Sequence, residues 1–166
     1  MKEIFERRSI RRYTNQTVTE EQVKELLKAA MAAPSAGNGQ PWEFIILRDK
    51  QMFEQIMEIH PYSKMLKEAS VAIVVCGNTM HEYMGPYWVQ DCSAATQNIL
   101  LMAQHMGLGA VWLGVYPSLE RLEELKKLLE IPEKVSPLNI ISIGYPAEIK
   151  GPEERFTETK IHYDRW

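Results

Sequence analysis

Apolar residues recur at intervals of three and four in three stretches of the chain, which is the spacing of a helix with one buried face. The first stretch begins at Thr19-Glu20-Glu21-Gln22, where Thr19 and Gln22 form a capping-box pattern. Pro34 marks the end of this helix, because the residue before a proline is pushed out of the helical region. The predicted apolar face consists of Val23, Leu26, Leu27, Ala30 and Met31.

The second stretch is the longest and runs from about Pro86 to Met106, with Gly107 placed to cap its end. Its apolar positions are Val89, Cys92, Thr96, Ile99, Ala103 and Met106.

The third stretch follows Ser118, which is a favourable N-cap residue, and its first turns carry acidic side chains near the positive end of the helix. Its apolar surface comes from Leu119, Leu122, Leu125, Leu128 and Leu129.

Runs rich in β-branched and aromatic residues predict four strands between these helices. They are Trp42 to Leu47, Val71 to Cys76, Ala110 to Val115 and Leu138 to Tyr145. A doubly wound parallel sheet is disfavoured, because two helical segments precede the first strand and no Gly-rich phosphate loop follows a strand. We therefore expect an α+β fold with a central mixed, largely antiparallel sheet flanked by helices.

Composition restricts the classes of protein to consider. The chain has 166 residues, of which 45% are apolar and 25% charged, so we expect a single domain over 1–166 with its own core. A net charge of −3 argues against general nucleic-acid binding. The longest apolar run is far too short to span a bilayer and the N-terminus does not resemble a signal peptide, so a cytoplasmic location without membrane attachment is expected.

The cysteine and histidine residues do not have the spacing of a metal site. Cys76 and Cys92 both lie in apolar surroundings and are predicted to be buried structural thiols. His60 and His81 are isolated histidines. No metal is therefore expected.

Four arginines surround one serine in the segment Arg7-Arg8-Ser9-Ile10-Arg11-Arg12-Tyr13. A local basic cluster in a mildly acidic chain favours a specific anion, and guanidinium and hydroxyl groups suit a phosphate. A solvated basic face is the alternative.

The polar C-terminal segment from Glu148 to Trp166 carries large apolar side chains but is too irregular to form a core. Such groups need another surface, on the same subunit or on a partner. We favour a partner, which makes an intertwined homodimer the natural expectation. The large apolar side chains of this C-terminal segment are Phe156, Ile161, Tyr163 and Trp166.

Five motifs occur in a fixed order along the chain. The basic segment comes first, followed by Ala33-Pro34-Ser35-Ala36-Gly37-Asn38-Gly39-Gln40-Pro41-Trp42-Glu43-Phe44, and then by Asp91 with the helix that contains Ala94 to Leu101. The last two are Gly107-Leu108-Gly109-Ala110-Val111-Trp112-Leu113-Gly114-Val115-Tyr116-Pro117 and Ile143-Gly144-Tyr145-Pro146-Ala147. In this order they resemble the FMN-dependent nitroreductase family, especially its shorter members, over essentially the whole chain.

The resemblance implies a homodimer with FMN at the subunit interface and NADH or NADPH as electron donor. Arg7, Ser9 and Arg11 match positions that contact the FMN phosphate and ribityl chain, and we expect the segment to lie at the start of a helix. Arg8 is included as a neighbouring candidate, and Arg155 matches a later basic position at the same phosphate.

The resemblance also implies three further contacts with the cofactor. Pro34, Ser35, Ala36 and Asn38 match a loop that reaches a flavin held mainly by the other subunit, and we expect Gln40 to hold that loop. The segment Trp112, Leu113 and Gly114 matches the backbone that crosses the flavin ring, where an N–H would donate to N5. Lys64 is matched to a lysine near the N1–C2 edge, with a solvated lysine as the alternative.

The function implied is a ping-pong transfer of hydride from NAD(P)H through FMN to a small-molecule acceptor such as a nitroaromatic or a quinone. No catalytic side chain is expected, because the flavin carries the chemistry. The pocket could be lined by Tyr13, His60, Tyr62, Tyr83, Tyr87 and Trp88. The alternatives are a flavin enzyme with a dedicated acceptor, a flavin storage or electron-relay protein, and a nucleic-acid-binding module.

Overall fold

Four strands form one sheet in the order β1-β2-β4-β3, and every neighbouring pair is antiparallel. The structure is a computed structural model that describes residues 2–78 and 87–166. The strands are β1 (Trp42–Leu47), β2 (Val71–Asn78), β3 (Gly109–Gly114) and β4 (Val135–Gly144). The helices are α1 (Glu3–Glu6), α2 (Glu20–Met31), α3 (Lys50–Ile59), α4 (Trp88–His105) and α5 (Leu119–Leu128).

Helices cover both faces of the sheet, which gives three layers and two apolar cores. Alternate residues of the central strand β2 enter opposite cores, since successive side chains of a strand point to opposite faces. Val71, Ile73 and Val75 pack in the core that contains α2 and α4. Ala72, Val74 and Cys76 pack in the core that contains α3 and α5. The α+β fold with a largely antiparallel sheet is therefore confirmed.

The sequence signals for helix ends agree with the structure at α2 and α4. Thr19 accepts a hydrogen bond from the backbone of Gln22, and the Gln22 side chain accepts one from the backbone of Thr19. Gly107 follows α4 with φ +72°, the left-handed conformation that glycine adopts without strain. Ser118 occupies the N-cap position of α5, but its side chain makes no capping hydrogen bond.

No bounds were predicted for α1, and α3 was not predicted at all. α3 begins after Asp49, whose side chain accepts from the backbone of Gln51, and it buries Phe53 and Ile56. No helix among residues 2–78 and 87–166 has the length and apolar character needed to cross a membrane.

Candidate functional site

The basic N-terminal segment lies across the ends of β3 and β4. A bridge joins Ser9 to Ala110, and the backbone of Ile10 donates to the Ala110 carbonyl at 3.1 Å. Glycine makes this close approach possible, because a Cβ at Gly109 would lie 2.6 Å from Ile10 Cγ2, and one at Gly144 would lie 2.8 Å from Tyr13 Cγ. The basic segment is thus fixed to the sheet by backbone and apolar contacts.

The expectation that this segment starts a helix is wrong, because it follows the end of one. α1 ends at Glu6, and Arg7 has the extended angles φ −58° and ψ 127°. Ser9 and Tyr13 form isolated bridges in the extended stretch that follows. Successive side chains of an extended backbone point to opposite sides, so residues two apart share a side. Arg7, Ser9 and Arg11 can therefore share a side because the backbone is extended, and not because it starts a helix.

Two adjacent arginines and a third that is distant in sequence meet around one cavity of about 540 Å³. Arg7 and Arg8 line it from the N-terminal segment, and Arg155 lines it from the tail. Burial lowers the pKa of the Arg7 guanidinium, and the neighbouring charges of Arg155 and Arg8 lower it further. Within residues 2–78 and 87–166, Arg7 forms no ion pair with a carboxylate. A bound anion would relieve this repulsion, so the cluster fits a phosphate.

The other two arginines of the cluster have partners in the tail. Arg8 donates to the Gly151 carbonyl and lies 3.6 Å from the Glu153 carboxylate. Arg155 also pairs with Glu153, through two donors. A single carboxylate therefore lies between two guanidinium groups and leaves Arg7 as the cation that a ligand can neutralise.

Residues of the tail that were not predicted also hold the basic segment. The Lys150 ammonium donates to the Ser9 carbonyl at 2.9 Å, and Glu148 accepts from the Arg11 backbone at 2.6 Å. The Arg11 side chain is exposed and is not part of the cavity lined by Arg7 and Arg8. The structure thus gathers Arg7, Arg8 and Arg155, and neither Ser9 nor Arg11 is among the described residues that line that cavity.

The loop of residues 34–41 has an unusual backbone. Three of its residues have positive φ: Gly37 (56°), Asn38 (56°) and Gln40 (47°). Gln40 holds this shape, because its backbone donates to the Ser35 hydroxyl and its amide donates to Asn38 Oδ1, both at 3.0 Å. The expected role of Gln40 within the loop agrees with these two bonds.

Asp91 in the first turn of α4 is the other anchor of the loop. Its Oδ1 accepts from the backbone of Ala36 at 3.0 Å, and the residue is 8% exposed. Asp91 belonged to one of the sequence motifs, but no role was predicted for it. The loop that contains Pro34, Ser35 and Asn38 is therefore tied to α4.

Strand β3 is an edge strand, so alternate backbone groups along it face away from the sheet. The carbonyls of Ala110 and Gly114 accept from outside the sheet, from Ile10 and His60 respectively. Residues of an antiparallel strand alternate between facing the partner and facing away, so Trp112 also directs its N–H and carbonyl off the edge. The edge thus offers peptide groups to a planar ligand.

The side chains of this segment differ in exposure. Leu113 is buried in the core that contains α3 and α5. Trp112 is 36% exposed, and a Cβ on Gly114 would meet no atom within 4 Å. Trp112 is therefore the side chain of the three that can pack against a ligand, and Gly114 leaves space beside it.

A second group of polar residues meets the end of β3. His60 Nε2 lies 2.9 Å from the Gly114 carbonyl oxygen, and Arg121 donates to the same oxygen at 3.3 Å. The Arg121 guanidinium lies over the Tyr62 ring, 5.4 Å from its centre. Lys64 is exposed in the short 3-10 helix of residues 64–67. The segment of residues 60–64 therefore contacts β3 through His60 and not through Lys64.

Besides His60, the residues predicted to line the pocket differ in their positions. Tyr13 is buried in the core and donates to the carbonyls of Ile10 and Ser142, so it does not line a pocket. Tyr62 and Tyr87 are exposed. Trp88 packs edge-on against Tyr116 with ring centres 5.2 Å apart. Tyr83 lies outside the described residues, as does His81.

Both cysteines are buried and free, as predicted. Burial raises the pKa of each thiol to about 12. Among residues 2–78 and 87–166, no three histidine, cysteine, aspartate or glutamate side chains lie together as metal ligands would.

Comparison with known proteins identifies closely similar chains. The sequence model of the "Nitroreductase family" matches residues 4–60 and 58–145. A protein of Methanothermobacter thermautotrophicus, provisionally named NADH dehydrogenase/NAD(P)H nitroreductase, is 49% identical over 96% of this chain and 84% of its own length.

Two solved structures are similar over nearly the whole chain. The protein of Parabacteroides distasonis with the same provisional name has a TM-score of 0.95 and 43% identity, covering 99% of this chain and 97% of the other. A provisionally assigned nitroreductase of Desulfovibrio desulfuricans, solved in complex with FMN, has a TM-score of 0.86 and 32% identity, covering 99% and 96%.

Proposed function

The chain belongs to the nitroreductase family, and we propose that this FMN- and NAD(P)H-dependent oxidoreductase works by a ping-pong sequence. In the first half-reaction it takes hydride from NADH or NADPH, and in the second it reduces a nitroaromatic, a quinone or a related acceptor. The observation that carries the proposal is the cluster of Arg7, Arg8 and Arg155, in which Arg7 has no carboxylate partner among the described residues.

The arginine cluster and Ser9 would hold the FMN phosphate, with Arg11 completing the ribityl contacts. Arg7 is the principal contact, because it is part-buried and repelled by its neighbours. A negatively charged phosphate would attract all three guanidinium groups and so offset the repulsion among them. Each charge-assisted hydrogen bond contributes roughly 1.5–3 kcal/mol.

The flavin ring would lie along the outer edge of β3. When bound, FMN supplies N5, the atom that accepts and donates hydride. The outward peptide groups of Trp112 and the outward N–H of Gly114 would orient the ring, while the exposed Trp112 side chain would cover part of one face. The buried Leu113 would support this edge from the core. The open space at Gly114 leaves room for close approach.

The loop of Pro34, Ser35, Ala36 and Asn38 would contact a flavin held mainly by the partner subunit. The contacts of the described residues support the assignment of the loop and the arginine cluster to different flavins. The loop is anchored to α4 through Asp91, and none of the described hydrogen bonds joins it to the arginine cluster. Lys64 would place positive charge near the N1–C2 edge, where negative charge develops on reduction. A homodimer with FMN at its interface is part of the proposal.

An absorption spectrum of the purified protein tests the proposal. The spectrum is recorded before and after anaerobic addition of NADH or NADPH, and then after addition of a quinone or a nitroaromatic. We expect visible flavin bands that bleach with the nicotinamide and return with the acceptor.

The other outcomes separate the alternatives. Flavin bands that do not bleach would favour a storage or relay protein. Bands that bleach but do not return with any small acceptor tested would favour a dedicated acceptor. A colourless protein that does not take up added FMN would overturn the proposal.

A further inference from the structure

Two donors from different elements converge on one backbone oxygen at the end of β3. His60, directly after α3, approaches the Gly114 carbonyl at 2.9 Å. Arg121, in the first turn of α5, donates to the same oxygen at 3.3 Å. A carbonyl oxygen has two acceptor sites, so both bonds can exist together.

The surroundings of His60 define its tautomer. The Tyr62 backbone donates to Nδ1 at 3.3 Å, so Nδ1 carries a lone pair and the ring proton lies on Nε2, where it donates to Gly114. The backbone of His60 is held on both sides, by its own N–H to the Ile56 carbonyl and by Ser63 Oγ donating to the His60 carbonyl. The residue is 3% exposed, so its ring is fixed.

The elements packed around His60 contribute one charged group. The small cavity beside the ring is lined by Arg121 and by the apolar residues Ile56, Ile59, Val115, Leu125 and Ile140. The Tyr62 ring lies edge-on to the His60 ring, with ring centres 6.3 Å apart. Burial lowers the pKa of His60, the Gly114 carbonyl partly offsets this, and Arg121 lowers it again. His60 is therefore neutral at physiological pH.

We propose that His60 and Arg121 are positioning residues, a two-donor clamp that fixes the Gly114 carbonyl and with it the backbone edge on which the flavin ring lies. The inference rests on the proposed function for the position of the flavin. Gly114 has no side chain to hold it, so these two bonds are its anchors on the outer side of the strand. The clamp also ties the segment that carries Tyr62 and Lys64 to the same edge.

The donor of the clamp is present in both charge states of His60, because both ring nitrogens carry a proton in the imidazolium. A proton added at Nδ1 would remove the bond from the Tyr62 N–H but would leave the Nε2–H that donates to Gly114. The unfolded chain takes up this proton at the ordinary pKa of 6.5, whereas the folded chain takes it up only at lower pH. The stability contributed by the neutral ring is therefore complete above pH 6.5 and falls as the pH decreases towards the lowered pKa of the folded protein, while the bond to the Gly114 carbonyl remains.

Variants of His60 test the clamp. In His60→Gln, the amide Nε2–H can replace the ring donor, whereas His60→Leu removes it. We expect His60→Leu to weaken FMN binding about tenfold and His60→Gln to stay within about threefold of the parent protein. Arg121→Met, which removes the longer bond, should have a smaller effect. Lys127→Met removes an exposed charge from the same helix and serves as the matched control.

Rescue by glutamine distinguishes positioning from general stability. FMN affinities of the parent protein, His60→Gln and His60→Leu are compared at one pH at which all three proteins are folded. Equal FMN affinities for His60→Leu and the parent protein, or an equal loss of affinity in His60→Gln and His60→Leu, would overturn the inference.

Nitrogen NMR of the histidine rings tests the clamp without reference to flavin. We expect His60 as the neutral Nε2–H tautomer, with a coupling across the hydrogen bond to the Gly114 carbonyl. The Nδ1–H tautomer would overturn the clamp. A protein with the expected coupling but without FMN uptake would instead locate the failure in the proposed function.

Discussion

At the scale of single residues, Arg7 offers the most direct test of the anion site. Its guanidinium is part-buried beside Arg155 and Arg8, which repel it, and it forms no ion pair within residues 2–78 and 87–166. Arg7→Ala should therefore weaken FMN binding by roughly 1.5–3 kcal/mol, or about 10- to 150-fold, while leaving the fold intact. Fluorescence titration of the flavin-free protein with FMN measures this change.

Arg12 provides the matched control for Arg7. It belongs to the same basic segment but is exposed and pairs with Glu68 at 3.1 Å. Arg12→Ala should bind FMN nearly as well as the parent protein. Equal affinities for the two alanine variants would remove Arg7 from the phosphate site.

Cys92 tests the structural interpretation of the buried thiols. Its sulfur donates to the Cys76 carbonyl at 3.4 Å, and burial raises its pKa to about 12, so it is a thiol and not a thiolate at neutral pH. Cys92→Ala should keep most NAD(P)H-dependent turnover and lose about 1 kcal/mol of unfolding free energy. Loss of turnover in a folded, flavin-loaded variant would contradict this interpretation.

The residues that could be predicted are those whose own chemistry indicates their role. Arg7 and Arg155 are cations in matched motifs, and the structure brings them to one cavity. His60 and Arg121 were not found as a pair, because their common partner is a backbone carbonyl, which no sequence pattern marks. Tyr13 was predicted to line the pocket, but its ring packs in the core against Gly144, which has no side chain to block it. That contact depends on tertiary packing, which the sequence pattern around Tyr13 does not show.

At the scale of elements, the first turn of α4 controls the shape of the 34–41 loop. Asp91 is a buried carboxylate that accepts from Ala36, so its removal would leave a backbone donor without that partner. Asp91→Ala should lower the free energy of unfolding by roughly 1–3 kcal/mol and weaken FMN binding. Denaturant unfolding and FMN titration measure the two effects.

Asp91→Asn separates the hydrogen bond from the charge. Its amide oxygen can still accept from Ala36, so we expect most of the stability and FMN affinity to be retained. An asparagine variant as impaired as the alanine variant would assign the effect to charge and contradict the anchor role.

Elements with strong local signals were predictable, and weaker ones were not. The capping box at Thr19, the left-handed Gly107 and the four strands follow from residue chemistry and periodicity. α3 was missed although Asp49 precedes it and Phe53 and Ile56 have helical spacing, a signal that was available. α1 has four residues and no buried side chain, so its apolar pattern carries no information.

At the scale of the whole molecule, the tail carries the strongest indication of a partner. Phe156 is 74% exposed, Tyr163 84% and Trp166 fully exposed in the single chain, while Glu148 and Lys150 anchor the start of the tail to the basic segment. We propose that a second copy of the chain covers these aromatic groups. The sequence predicts this surface, because large apolar side chains occur in a polar, irregular segment.

Removal of residues 156–166 tests the dimer and retains Arg155. We expect the intact protein to have a light-scattering mass twice the 19.2 kDa of one chain, because its apolar tail packs on the partner. The shortened protein should shift towards the mass of one chain and lose FMN, since the proposed site needs the loop of a second subunit. Glu158→Gln, which changes an exposed polar residue of the tail, should remain dimeric. A single-chain mass for the intact protein would refute the dimer, and undiminished FMN binding by a monomeric shortened protein would show that one subunit suffices for the site.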